Sequence, residues 1–177
     1  MGAMVALAYA IDHSDDVRHL VLLSGYHYPT LRVDALLTAP VALPVLGDAM
    51  RYTVTALSAR AMLGSMAKGM FAPRELPDDF FPRLSRQMLL RPSQLRANAE
   101  DAAFMMPAAA ALAERCRELR MPVTICAGSD DKVVDPAAHA KRLHRDLPQS
   151  ELILLPGVGH MVHYAAPDRI AAALAVS

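Results

Sequence analysis

Two short loops carry residue types suited to acid–base chemistry. Gly157-Val158-Gly159-His160 presents an imidazole just after one apolar run, and Gly128-Ser129-Asp130-Asp131 presents carboxylates just after another. Imidazole titrates close to neutrality, so it can take a proton and give it back. A carboxylate bonded to its far nitrogen fixes the tautomer and stabilises the imidazolium. Asp131 and His160 lie 29 positions apart, room enough for one helix and one strand. Asp130 and Asp135 are the rival acids. Asp135 is followed by Pro136, the pattern of a helix N-cap with Pro at the first helical position. That sets Asp135 aside and leaves Asp130 and Asp131 as the candidate partners of His160. A hydroxyl is a weak nucleophile without such a base, and Ser129, inside the acid loop itself, is not placed to be one. His163, three residues past His160, invites a metal reading, but no Cys or Glu stands at ligand spacing. Neither a metal nor a cofactor is expected.

These loops need elements to hold them. Gly2–Ile11 is Ala-rich and compact and reads as a helix. Val17–Gly25, Pro122–Gly128 and Glu151–Gly157 are short apolar runs stopped by Gly, the mark of buried strands. A helix from Asp135 to about Leu147 is expected between the last two. A final helix opens at Pro167-Asp168 with Ile170, Ala173 and Leu174 on one face. Strands alternating with helices imply parallel crossovers and an α/β sheet. The stretch from about Tyr26 to Pro107, rich in Pro and Met, breaks this rhythm. Helical pieces are expected at 47–62, 83–90, 93–106 and 107–119. The domain reading is 1–25 as first helix and strand, 26–107 as a helical insertion, and 108–177 as a C-terminal α/β core. Met62, Met66, Met70, Met88, Met105 and Met106 fit an apolar acyl pocket or ordinary packing equally well.

The chain resembles an α/β-hydrolase-fold protein of the lid-bearing serine esterase and lipase type, from just after the nucleophile onward. Three signals carry the resemblance, in the order nucleophile, acid, histidine. Met1-Gly2 running into an Ala-rich helix resembles the second half of a G-x-S-x-G elbow. Gly128-x-x-Asp131 resembles the acid turn, and Gly157-x-Gly159-His160 the histidine loop. The resemblance implies about three parallel strands with flanking helices and a helical lid over 26–107. It implies Asp131 and His160 as catalytic residues and the Met1 backbone N–H as half of an oxyanion hole. The attacking serine falls one position upstream of Met1, so no nucleophile is expected within the chain, which reads as a C-terminal fragment inactive alone. The implied substrate of the full-length parent is a small or medium apolar ester. An Asp-nucleophile hydrolase of the haloalkane dehalogenase or epoxide hydrolase type is the alternative. Those tend to carry Trp after the nucleophile, and this chain has no Trp. A non-catalytic binding remnant of the fold is the third reading. Ser24-Gly25 occupies a place where some members carry the acid, and no carboxylate stands there.

Composition narrows the rest. The 177 residues suffice for one sizeable core. Hydrophobic residues make up 54% and mean hydropathy is +0.22. The longest apolar stretches, 35–46 and 102–113, are broken by Pro and fall short of the roughly 20 residues a spanning helix needs. A core covered on both faces explains the hydropathy better. With 18 basic and 18 acidic residues, nothing points to nucleic acid as a partner. Cys116 and Cys126 fit neither a disulfide framework nor a zinc site. His13, His19, His27, His139 and His144 read as surface or capping histidines. No basic n-region precedes the apolar opening, so a cytoplasmic location is expected. If the strand at 17–24 lies at an open edge, self-association through that edge follows.

Overall fold

The computed structural model describes residues 1–31, 40, 41, 43 and 45–175. Most of the apolar stretch 35–46 lies outside them. The chain divides into two units. The first, called the core unit below, is Met1–Pro29, Gly69–Glu75 and Pro107–Ser177; the second is Thr30–Lys68 and Leu76–Met106.

The core unit is built on three parallel strands in the order β1-β2-β3: β1 Leu20–Leu23, β2 Val123–Gly128 and β3 Ser150–Leu155. Leu20 pairs with Val123, and Val123 with Ser150. Every residue of β2 is buried, which is why its sequence, apart from Thr124, is apolar rather than alternating. Period two sorts the side chains. Leu20, Leu22, Val123, Ile125 and Ala127 share one cluster with Leu7, Ala10 and Ile11 of helix α1 (Gly2–Asp12) and with Leu143 of a later helix. Ile153, Leu155 and Leu23 pack in a second cluster with Val162 and Ile170. Helices therefore cover both faces.

The second cluster is supplied by the C-terminal helices, and here Leu174 departs from expectation. It is 58% exposed, while Ile170 and Ala173 are buried.

The described helices between β1 and β2 are α2 Leu46–Tyr52, α3 Val54–Phe71, α4 Phe80–Arg83, α5 Arg86–Leu89 and α6 Pro92–Arg115. The break expected at Pro107 is absent. Pro107 lies inside α6, where it removes one helical donor; the Ala-rich turns on either side favour helix strongly enough to carry through. Likewise 54–71 is a single helix of 18 residues rather than ending near 62. Of the methionines named above, Met62, Met66 and Met88 are exposed. None of the described helices is long and apolar enough to cross a membrane.

After β2, the helix expected from Asp135 starts later. Helix α7 is Ala140–Asp146; Asp135 instead accepts Ala137 N–H through Oδ1 at 2.8 Å, capping the turn that leads in. Short helix α8 (Val162–Ala165) and helix α9 (Pro167–Ala175) close the chain.

The N–H groups of Leu20 and Ser24 donate to Pro122 and Cys126 of the β2 side. The alternate residues Val21 and Leu23 therefore direct their backbone groups to the other edge, on which no described strand pairs. An open, apolar edge is a template for intermolecular pairing. We expect dimers or larger species in sedimentation at micromolar concentration, shifted toward monomer by Val21→Lys, which puts a charge on the edge. A monodisperse wild-type monomer with a sharp thermal transition would contradict this.

Candidate active site

Parallel strands deliver the loops at their carboxyl ends to the same side of the sheet, where open α/β sheets bind ligands. Asp131 follows β2 and His160 follows β3. Neighbouring strands lie about 5 Å apart, so two short loops can meet, and they do. Asp131 Oδ2 accepts a hydrogen bond from His160 Nδ1 at 2.8 Å. Asp131 is 6% exposed, and its Oδ1 accepts the N–H groups of Val133 at 2.8 Å and Val134 at 2.9 Å. The carboxylate is thus aimed by the turn that follows it. The carboxylate accepts at Nδ1, which in the neutral ring leaves the lone pair on Nε2. An imidazole oriented through Nδ1 with Nε2 unprotonated is the arrangement of a general base.

The rival acids point elsewhere. Asp130 Oδ2 accepts Ser129 Oγ–H at 2.5 Å and Gly157 N–H at 3.1 Å. Ser129 Oγ also accepts Gly157 N–H at 3.1 Å, so these two residues tie the acid loop to the start of the histidine loop. Asp135 caps its own turn. Met1 stands at the N-cap of α1, and its carbonyl accepts Met4 N–H at 2.8 Å.

Gly128 makes the meeting of the loops sterically feasible. A Cβ there would overlap the carbonyl oxygens of Val158 and Gly159. Both obstacles are backbone, so relief requires moving the histidine loop itself. Gly128→Ala is expected to cost about 1–3 kcal/mol, the range for overpacking, and to displace His160 from Asp131. Urea denaturation and the chemical shifts of the His160 ring check both halves.

Beyond the pair lies a group that composition did not reveal. His27 and His139, expected at the surface or as caps, are buried, and His139 stands at the N-cap of α7. His139 Nδ1 accepts His27 N–H at 3.1 Å and Tyr28 N–H at 3.3 Å. The Tyr28 hydroxyl donates to Asp146 Oδ2 at 2.6 Å, and the Arg142 guanidinium lies 3.9 Å from its ring centroid. The loop after β1 is thereby locked onto α7. His27 has no partner for either ring nitrogen among the described residues. Its pKa is lowered to about 3 by burial, with His139 adding to the effect. Ser24 ends β1 with φ 44° and a buried hydroxyl without a described partner. His163, whose pKa is lowered by partial burial and by His160, belongs to no metal-binding cluster among the described residues.

A parallel α/β core with an oriented carboxylate–imidazole pair at the strand ends defines a class of folds able to host hydrolytic chemistry. The model of the alpha/beta hydrolase fold family matches residues 1–167, and the chain belongs to that family. No curated protein sequence matches it. Among solved structures, an alpha/beta hydrolase fold protein from Burkholderia ambifaria is similar at TM-score 0.73 and 22% identity, covering 98% of this chain and 62% of its own. A loop variant of a haloalkane dehalogenase from Bradyrhizobium elkanii gives TM-score 0.66 and 20% identity, over 98% and 63%. A thermophilic esterase from Thermogutta terrifontis gives 0.55 and 22%, over 98% and 60%. The chain thus spans about three-fifths of the length of these structures, and at such identities the likeness shows the fold.

Proposed function

We propose that Asp131 and His160 are the acid and base of a Ser-His-Asp hydrolytic site acting on a small or medium apolar ester. The observation that carries the reading is the 2.8 Å bond from His160 Nδ1 to a buried carboxylate whose second oxygen is held by two backbone N–H groups. In this reading His160 Nε2 removes the proton from an attacking serine hydroxyl and returns it to the leaving alkoxide. Asp131 stabilises the intervening imidazolium. The backbone N–H of Met1, the N-cap residue of α1, contributes to the oxyanion hole, where the positive end of the helix favours a developing negative charge. The esterase among the structural neighbours performs this class of reaction by its name.

The serine itself is proposed to lie one position before Met1. The chain alone is then expected to show no triad-dependent activity. With a chromogenic short-chain ester and a fluorophosphonate probe, the purified protein should match a denatured control. Labelling that vanishes in His160→Ala would overturn this. The coding sequence upstream of Met1 is the second test. An in-frame Gly-x-Ser supports the serine reading, and Asp at that position would transfer it to the dehalogenase-type alternative.

A further inference from the structure

The segment Gly69–Glu75 belongs to the core unit although the chain on both sides of it, Thr30–Lys68 and Leu76–Met106, forms the second unit. The insertion therefore returns to the core for seven residues before leaving again. Those residues fasten the histidine loop along its whole length. Arg74 Nε donates to the carbonyl of Gly157 at 3.3 Å, where the loop begins. His160 N–H donates to the carbonyl of Met70 at 3.0 Å, at the histidine itself. Arg74 Nη1 donates to the carbonyl of Ala165 at 3.4 Å, at the end of α8. The rings of Phe71 and Tyr164 meet in a T-shaped arrangement with centroids 5.1 Å apart. Gly159 lies so close to the carbonyl of Ala72 that any Cβ there would overlap it.

We propose that Gly69–Glu75 is the positioning element of His160, with Arg74 as its positioning residue. A loop containing Gly157 at φ +66° and Gly159 has more conformational freedom than most and must be held from outside. Asp131 orients the imidazole only through Nδ1. The backbone that carries the imidazole is set by Met70, and the loop's two ends are bridged by one planar guanidinium. A planar fork can satisfy two separated carbonyls at once; an ammonium on a flexible stem holds a point and not a span. Because the Met70 carbonyl holds the His160 amide, any shift of the segment reaches the His160 backbone directly. The relevance to catalysis rests on the reading of Asp131 and His160 as a working pair; the fastening itself does not.

The test uses the chain as it stands, with two NMR readouts: hydrogen exchange of the His160 amide, and the downfield Nδ1–H resonance shared with Asp131. In Arg74→Ala, exchange at His160 is expected to rise about tenfold through local opening. The Nδ1–H signal should broaden, while the Ile125 amide in β2 stays unchanged. Arg74→Lys, keeping one anchor, should recover part of both. The inference is overturned if Arg74→Ala leaves His160 exchange within about twofold of wild type. It is also overturned if Ile125 accelerates equally, since that would be a global loss of stability. Asp131→Asn separates the two readings. If the Nδ1–H resonance persists in that variant, the pairing has been misassigned, while amide exchange still reports on the fastening.

Discussion

Asp131→Ala is expected to destabilise the protein by about 2–4 kcal/mol and release His160, whereas Asp131→Asn should cost only about 1 kcal/mol yet invert the histidine tautomer. The difference follows from what each oxygen does. Oδ1 accepts the N–H groups of Val133 and Val134, and Oδ2 accepts from His160. Alanine leaves the buried Val134 amide without its acceptor, and an unsatisfied buried donor costs more than a hydrogen bond contributes. Asparagine keeps an oxygen for the two amides but presents an NH₂ to Nδ1. The imidazole must then accept at Nδ1 and carry its proton on Nε2, which is the wrong form for a base. Asp130→Ala is the comparison. Asp130 is exposed, and among the described residues its side chain bonds Ser129 and Gly157, so its loss should cost under about 1 kcal/mol. Urea unfolding gives the stabilities, and ¹⁵N shifts of the His160 ring give the tautomer. Equal stability of wild type and Asp131→Ala would remove Asp131 from the architecture of the site.

The residues that could be read from sequence are those whose signal is local. The acid and histidine loops each consist of a strand, a glycine and a charged or titratable residue within ten positions, and a strand is legible from its apolar run. The same holds for α1, whose compact Ala-rich run marks a helix. What escaped was set by partners far along the chain. The burial of His27 depends on His139, 112 positions away. Arg74 meets Gly157 and Ala165 across 83 and 91 positions, and nothing near Arg74 in sequence distinguishes it from a solvated cation. Pro107 misled for the opposite reason. It is a strong local signal against helix, outweighed by the helical turns on both sides. Asp135 misled more mildly: it caps a turn, as its type suggests, but the helix begins only at Ala140.

Lowering the pH is expected to destabilise the protein through His27. This histidine is fully buried with both ring nitrogens unpartnered among the described residues. Protonation in place would create a cation with no acceptor beside it, next to His139, and burial accordingly depresses its pKa to about 3 from 6.5. The sign follows from proton binding. Between pH 6.5 and 3 the unfolded chain holds a proton on His27 that the folded chain does not. Stability therefore rises with pH in that window and falls as pH drops through it. The loss begins near pH 6.5, reaches about 2 kcal/mol by pH 5, and grows until the folded-state pKa is passed. Against a typical total of about 5–15 kcal/mol, that is a large share. His163, also shifted downward, acts in the same direction, but it is exposed and its contribution is screened. Urea denaturation at pH 7.5, 6.5, 5.5 and 5 should show the fall in wild type, and His27→Leu should flatten it by about one proton per molecule. A wild-type stability that is flat from pH 7.5 to 5 would show that His27 finds a partner when protonated. The consequence reaches α1. Gly25 packs directly on the His27 ring and on Ala3, so acid opening of this loop would loosen the first turn of α1. The amides of that turn should lose hydrogen-exchange protection at a higher pH than the one at which the Asp131–His160 bond is lost.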